Sequence, residues 1–266
     1  MRCTYPATWP RRVLPAGRRG AALAVCMALS ACGAGCQHWQ LRGAGPLPEP
    51  RVIARSVEGR PIEAYALGTG TEAVLVLATI HGNEAAGATL ARRLIDELRA
   101  QPALLRERRV IVVPVANPDG LARGTRANAR GVDLNRNFPA TNFAAAARHG
   151  TAPLSEPESQ ALDRLLREVR PVRVVSIHQP LGCVDYDGPA AELAEAIAAQ
   201  AGLPVRRLGS LPGSMGSYIG MELGIPLITL ELPRGASRWP EDELWARYRS
   251  AMLTAVSSGH GGRPAL

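Results

Sequence analysis

The feature that most constrains this chain is the apolar run Ala73–Ile80, which stops abruptly at His81-Gly82-Asn83-Glu84. Eight residues that are almost all aliphatic suit a strand covered on both faces at the centre of a sheet, not an edge strand with one wet face. Gly82 and Asn83 supply turn chemistry, and Ala86–Arg99 has helical periodicity. His81 and Glu84 therefore stand where a strand hands over to a helix. A spacing of three across a first helical turn places an imidazole and a carboxylate on one face, which is chemistry suited to zinc.

The same arrangement recurs. Val172–Ile177 reads as a strand and is followed at once by His178. Two strand-end histidines, one with a glutamate three residues on, make His178 the third ligand to His81 and Glu84. Three protein ligands leave a position open for water, the mark of a catalytic rather than a structural zinc. His38, His149 and His260 fall in linker, loop and tail. Glu231 closes the apolar strand Pro226–Leu232, where a carboxylate has either a partner or a task; a general base is one such task.

The other elements follow from pattern. Val52–Val57 and Ile62–Leu67 alternate around Glu58-Gly59-Arg60-Pro61, a hairpin signal. Val110–Val115 is a buried strand. Pro157–Val169, Ala190–Ala201, Met215–Leu223 and Trp239–Ser257 read as helices, with Ser155 or Glu156 near the N-cap of the first. Strands alternating with helices predict an α/β fold, a mixed, mostly parallel twisted sheet flanked by helices. Residues 116–156 have little regular pattern, and a loop of that length in a compact domain is commonly functional.

That loop carries Gly131-Val-Asp-Leu-Asn-Arg-Asn-Phe-Pro139. Arg136 is a planar fork suited to a substrate carboxylate, and Asn135 adds an amide donor. Asp133 is suited to accept the second N–H of a zinc-bound histidine. Arg126 is suited to an oxyanion. Arg123 and Arg130 read as surface charges.

Charge and composition bound the partners. Every basic side chain is arginine, and the net charge is +8. Arg2, Arg11, Arg12, Arg18 and Arg19 contribute five of those charges before residue 32, which leaves +3 for the rest. With aromatics at only 4%, base stacking is unsupported and no nucleic-acid partner is expected. The basic start, the short apolar stretch Ala21–Ser30 and Leu29-Ser30-Ala31-Cys32 read as an export signal ending in a lipobox, with Cys32 as the lipidated residue. The expected organisation is a signal over 1–32, a flexible linker over 33–50, a catalytic domain over 51–258 and a tail over 259–266. The expected location is a membrane-anchored lipoprotein facing the periplasm, or a soluble periplasmic protein if Cys32 is not lipidated. Contact with the membrane is expected only through that lipid. Cys36 and Cys183 remain after processing and are not expected to pair, because Cys36 lies in the linker.

In their order, His81-x-x-Glu84, Asn117-Pro-Asp-Gly120, Gly131-Val-Asp-Leu-Asn-Arg-Asn-Phe138, Ser176-Ile-His178 and Thr229-Leu-Glu231 resemble the zinc carboxypeptidase superfamily, over about Val52 to Ser257. His-Gly-Asn-Glu, Ser155-Glu-Pro-Glu158, the run His178–Pro189 and Pro212-Gly-Ser-Met-Gly-Ser-Tyr218 are similar to its murein peptide amidase A branch. The resemblance implies one zinc ion held by His81, Glu84 and His178, with Glu231 as general base and then general acid. It implies Arg126 at the oxyanion, and Asn135 with Arg136 on the free carboxylate beside the scissile bond. The reaction it implies is hydrolysis of the γ-D-glutamyl–meso-diaminopimelate amide of murein peptides by a zinc-bound water.

Two departures stand out. Gln179 follows the third ligand where typical carboxypeptidases have serine. The substrate-capping tyrosine has no secure counterpart, since Tyr218 reads equally as core. Asp185 and Asp187 are read either as partners for a diaminopimelate ammonium or as aspartates capping a turn. The alternatives in function are an N-acyl amino acid deacylase resembling succinylglutamate desuccinylase or aspartoacylase, and a non-catalytic lipoprotein that binds wall peptides.

Overall fold

The computed structural model describes residues 50–105 and 107–257. The signal, Cys32, Cys36, His38, nearly all of the linker, His260 and the tail lie outside the described residues.

Seven strands form one sheet in the order β1-β2-β4-β3-β5-β7-β6. In chain order the strands and α-helices are β1 (Arg51–Arg55), β2 (Pro61–Leu67), β3 (Glu72–Ala78), α1 (Ala86–Ala100), β4 (Arg108–Val113) and α2 (Pro118–Arg123). They continue with α3 (Pro157–Val169), β5 (Arg173–His178), β6 (Leu181–Asp187), α4 (Ala191–Ala201), β7 (Leu227–Pro233) and α5 (Glu241–Ser257). The central strands β4, β3, β5 and β7 are parallel. β2 joins β4, β1 joins β2, and β6 joins β7, each antiparallel. The predicted mixed α/β sheet is thus present, parallel at its centre and antiparallel at both edges.

Period-two alternation divides the sheet into two faces. Val74, Val76 and Ala78 of β3, Val175 and Ile177 of β5, and Ile228 and Leu230 of β7 point to one side, where α1, α4 and α5 cover them. Leu90, Leu94 and Leu98 recur along α1 at helical spacing and are fully buried there. Each such side chain contributes about 1.5–3 kcal/mol by leaving water. α3 stands outside that cluster and packs beside β1 and β3. The residues of opposite parity, including Ser176, His178, Thr229 and Glu231, face the other way.

Two elements were missed in sequence. The six-residue helix α2 begins at Asn117-Pro118, a capping residue followed by proline at N1, and its shortness hides its periodicity. β6 reads Leu-Gly-Cys-Val-Asp-Tyr-Asp, with too few apolar residues to register as a strand. Asp185 and Asp187 therefore lie on a strand and cap no turn.

Candidate active site

The turn that presents His81 is built under strain. β3 ends at Ala78, and Thr79 takes φ 53°, a left-handed conformation that a β-branched residue rarely adopts. That geometry costs about 1–3 kcal/mol and needs support from neighbours. The amide of Ala116 donates to the Ala78 carbonyl and that of Asn117 to Thr79, each at 3.0 Å. Asn117 Nδ2 donates to the Ile80 carbonyl at 3.2 Å, while its Oδ1 caps α2 through the Gly120 amide at 2.9 Å. Gly82 then packs on α2 so closely that a Cβ there would stand 2.0 Å from the Gly120 carbonyl carbon. The Asn-Pro-Asp-Gly motif, in sequence one of the stretches that carry the family resemblance, is the clamp that turns the chain into the site.

His81 and Glu84 sit in this turn, before α1, and not on its first helical turn as expected. Glu84 N–H donates to the His81 carbonyl at 3.1 Å, and the helix starts two residues later. Both side chains are buried, as is His178 at the end of β5. His81 Nδ1 lies 2.8 Å from Glu84 Oε1, and His178 Nδ1 lies 3.0 Å from Glu84 Oε2. The two Nδ1 atoms are 3.2 Å apart. All the offered donor atoms fall within 4.8 Å of one another. A tetrahedral zinc with bonds of 2.0–2.1 Å separates its ligands by about 3.3 Å, so this buried set of two imidazoles and a carboxylate fits that ion.

Asp133 fixes the orientation. His81 Nε2–H donates to Asp133 Oδ1 at 3.0 Å, which leaves the Nδ1 lone pair directed at the trio. Asp133 Oδ1 also accepts the Asn135 amide at 3.0 Å, and its Oδ2 accepts from Arg126 Nε at 3.0 Å. Burial works against ionisation of Asp133, but the bond from His81 and the charges of His81, Arg126 and Arg136 outweigh it and hold the carboxyl far below its usual range. Glu84 is likewise disfavoured as an anion by burial, yet His178 and His81 bring it down to about 2. Both carboxylates are anions at neutral pH, as ligation by Glu84 and the orientation of His81 by Asp133 require.

Glu231 is set by strand register. It pairs with His178 across β5–β7 and with Cys183 across β6–β7. Its Oε2 accepts the Leu181 amide at 3.3 Å, and it is 8% exposed. Burial pushes its carboxyl above the ordinary value, against the pull of His178. Cys183 opposite it is a buried free thiol.

His81, Glu84, His178, Glu231, Arg126, Asn135, Arg136, Asp185 and Asp187 all line one cleft of about 370 Å³. Arg136 is buried deeply enough to lower its pKa and has no ion pair among the described residues. Asn135 Oδ1 accepts the Met215 amide at 2.9 Å, and no described group occupies its Nδ2. Arg126 Nη1 lies 3.4 Å from Glu84 Oε1, so its charge stands beside the trio.

Three placements settle or add to what the sequence suggested. Gln179 lines the cleft, but its Oε1 accepts from the Ala86 amide at 3.3 Å and the Ser237 hydroxyl at 2.9 Å, which pins the start of α1. Tyr218 belongs to the core: its hydroxyl donates to Asp163 at 2.8 Å, and its ring stacks on Phe138. The loop carrying Leu208, Ser210, Leu211 and Ser214 forms a wall of the cleft. Of these, only Ser214 falls in a motif that the sequence singled out, Pro212–Tyr218; Leu208, Ser210 and Leu211 carried no signal.

Residues 48–182 match the zinc carboxypeptidase family. Murein peptide amidase A of Escherichia coli (strain K12) is 39% identical over 234 residues, covering 81% of this chain and 92% of that protein. Murein peptide amidase A of Vibrio campbellii is 36% identical over 206 residues, covering 69% and 79%. Among solved structures, the murein-tripeptide amidase of Escherichia coli O157 superposes with a TM-score of 0.64 at 33% identity, covering 83% of this chain and 96% of that one. Bovine thrombin-activatable fibrinolysis inhibitor reaches 0.68 at 19% identity, covering 80% and 89%, and so shares the fold.

Proposed function

The chain belongs to the zinc carboxypeptidase family and is a hydrolase, and from that premise we propose that it hydrolyses the γ-D-glutamyl–meso-diaminopimelate amide of murein peptides. The observation that carries this reading is the order of groups along one cleft. The His81–Glu84–His178 trio stands beside Glu231, Arg136, with no ion pair among the described residues, stands with Asn135, and Asp185 and Asp187 lie farther along β6. A substrate with a free carboxylate next to the scissile amide and an ammonium on its leaving side matches that order. The likeness to murein peptide amidases points to the same substrate class.

Zinc held by the trio supplies Lewis-acid polarisation and lowers the pKa of water at the site. Glu231, raised by burial and so a better base than a solvated carboxylate, takes the proton of the attacking water. Arg126 presents positive charge to the carbonyl oxygen as it becomes an oxyanion. Arg136 and Asn135 hold the carboxylate beside the amide and set the carbonyl against Glu231. Glu231 then passes the proton to the amide nitrogen, the C–N bond breaks, and a γ-glutamyl carboxylate and an amino group result. Asp133 keeps His81 oriented throughout.

The deciding experiment incubates zinc-loaded protein, starting after Cys32, with L-Ala-γ-D-Glu-meso-diaminopimelate and separately with N-succinylglutamate. Glu231→Gln is the control, and products are read by mass. Release of diaminopimelate by the wild type alone supports the proposal. Cleavage of only the succinyl compound moves the protein to the deacylases.

For location, the proposal is export and lipidation at Cys32, supported by the sequence of residues 1–32. Incorporation of labelled palmitate into the wild type but not Cys32→Ala is the expected result; equal labelling would overturn it.

A further inference from the structure

We infer that Glu156, a buried residue outside the cleft lining, is a positioning residue for Arg136 and Asn135: its carboxylate ties together the two ends of the loop that carries them. The inference rests on the reading above for the substrate carboxylate that this pair holds, and adds the group that keeps the pair in place.

Asn135 and Arg136 stand on a single 3₁₀ turn, Leu134–Arg136, inside a long loop. Among the described residues the Arg136 side chain bonds the Asn135 carbonyl of its own turn, so its place is set by the backbone beneath it. A group that orients substrate loses on the order of 10²-fold in rate when it is misplaced by about 1 Å, so this turn has to be held. Two buried asparagines close residues 128–137 at either end. Asn128 Oδ1 accepts the amides of Arg130 at 3.0 Å and Val132 at 3.1 Å. Asn137 Oδ1 accepts the Glu156 amide at 3.2 Å, and its Nδ2 donates to the carbonyls of His149 at 2.8 Å and Ala152 at 3.1 Å. The Leu154 amide donates to the Asn137 carbonyl at 2.7 Å from a left-handed φ of 55°, which a leucine rarely takes.

One carboxylate joins the two ends. Asn137 Nδ2 donates to Ser155 Oγ at 3.0 Å, the Ser155 hydroxyl donates to Glu156 Oε1 at 2.9 Å, and Asn128 Nδ2 donates to Glu156 Oε2 at 2.8 Å. Each oxygen of Glu156 therefore serves one end of the loop. Glu156 is the N-cap residue of α3, yet its side chain makes no cap bond, so the helix does not account for the carboxylate. Arg130 Nη1, 3.6 Å from Glu156 Oε2, offsets its charge. Glu158 accepts from Asn128 Nδ2 and from the Val57 amide, each at 3.1 Å, and so docks the Asn128 end on the first hairpin.

The packing leaves the turn little room. A Cβ at Gly150 would stand 2.3 Å from Ser155 Oγ and 2.6 Å from Asn137 Nδ2. On the cleft side, a Cβ at Gly213 would stand 2.3 Å from the Arg136 carbonyl oxygen, and the Phe138 amide donates to the Gly213 carbonyl at 2.9 Å. The Arg136 turn is thus pressed between the cleft wall at Gly213 and the bridge at Ser155 and Glu156. Asp133 has separate support. Its amide donates to the Arg148 carbonyl at 2.8 Å, and its carboxylate is held by His81 and Arg126. Loosening the bridge therefore falls on the grip of the substrate carboxylate more than on the metal trio.

The test compares γ-D-glutamyl amides of two leaving amines. One is meso-diaminopimelate; the other is D-lysine joined through its ε-amine, which is diaminopimelate without the carboxylate beside the bond. In zinc-loaded Glu156→Ala the kcat/KM preference for the first is expected to fall about fivefold or more, carried by KM, with zinc content near wild type. Ser155→Ala, which removes the joint on the Asn137 side alone, is expected to act in the same direction. Glu156→Gln can still accept from Asn128 and bond Ser155, and is expected to stay within about twofold of the wild-type preference. A role in stability alone would lower both amides equally. That result, or a Gln variant as impaired as the Ala variant, would overturn the inference. Amide hydrogen exchange needs no substrate and separates the two proposals. Exchange at Arg136, Asn137 and Phe138 is expected to be about tenfold faster or more in Glu156→Ala and Ser155→Ala, at unchanged rates in β5. That result from a protein that cleaves neither amide would sink the amidase reading and leave the bridge standing. Unaltered exchange in variants of a working amidase would do the reverse.

Discussion

His178 and Glu231 occupy paired positions on the parallel strands β5 and β7, so a member of the metal trio and the carboxylate beside it stand about 4.8 Å apart at the backbone on one rigid face. The spacing comes from sheet register, and no loop has to close to create it. Glu231→Gln keeps shape and the Leu181 contact but cannot accept a proton. It is expected to lower kcat by about 10²–10⁴ with zinc content and melting temperature close to wild type. Loss of zinc in the variant would instead assign Glu231 a part in holding the metal.

Asp133 acts through His81. Asp133→Asn can present an amide N–H to the ring and so favour the wrong tautomer. Zinc affinity is expected to fall about 10–100-fold, measured by competition with a chromophoric chelator. An unchanged affinity would reduce Asp133 to a cap for the turn at Asn135.

Tyr218 is held at both ends of a buried network. Its hydroxyl donates to Asp163 and accepts from Arg167 Nη2, each at 2.8 Å. Burial and the Asp163 carboxylate push it up to about 12. Tyr218→Phe is expected to cost about 1–2 kcal/mol of stability in urea unfolding and to leave kcat/KM within about threefold. A large loss of kcat with full stability would make it the missing capping tyrosine.

Asp119 links the motif after β4 to the first hairpin. It accepts from the Ser56 hydroxyl at 2.7 Å, the Glu58 amide at 3.0 Å and Arg60 at 2.6 Å. Burial alone would raise its carboxyl, but the bonds from Ser56, Arg60 and Glu58 outweigh it and hold it below the ordinary 3.8. A depressed folded pKa means that the folded state binds the proton less readily. The contribution is therefore present above the unfolded value and is lost as pH falls through the folded one. Asp119→Asn is expected to be about 1–3 kcal/mol less stable at pH 7, with the gap from wild type narrowing below about pH 4. An equal deficit at pH 3 and pH 7 would contradict this.

The sequence by itself determined the α/β class, the burial of β3 and β5, and the positions of His81, Glu84, His178 and Glu231. Those features are written in neighbouring residues, as unbroken apolar runs each ending in one polar side chain. α3, with proline at its first position and a strong apolar stripe, has the predicted bounds, Pro157–Val169. Tertiary structure alone decided the rest. β6 is held by antiparallel pairing to β7, which its own polar sequence does not announce. Asn117 supports the strained Thr79 through contacts that join two strand ends. Gly150 and Gly213 matter only because Asn137 and Arg136 pack against them from elsewhere in the chain. Periodicity is a local signal, whereas register and close approach follow from sheet order and from which faces must be covered, and these exist only once the whole chain has packed.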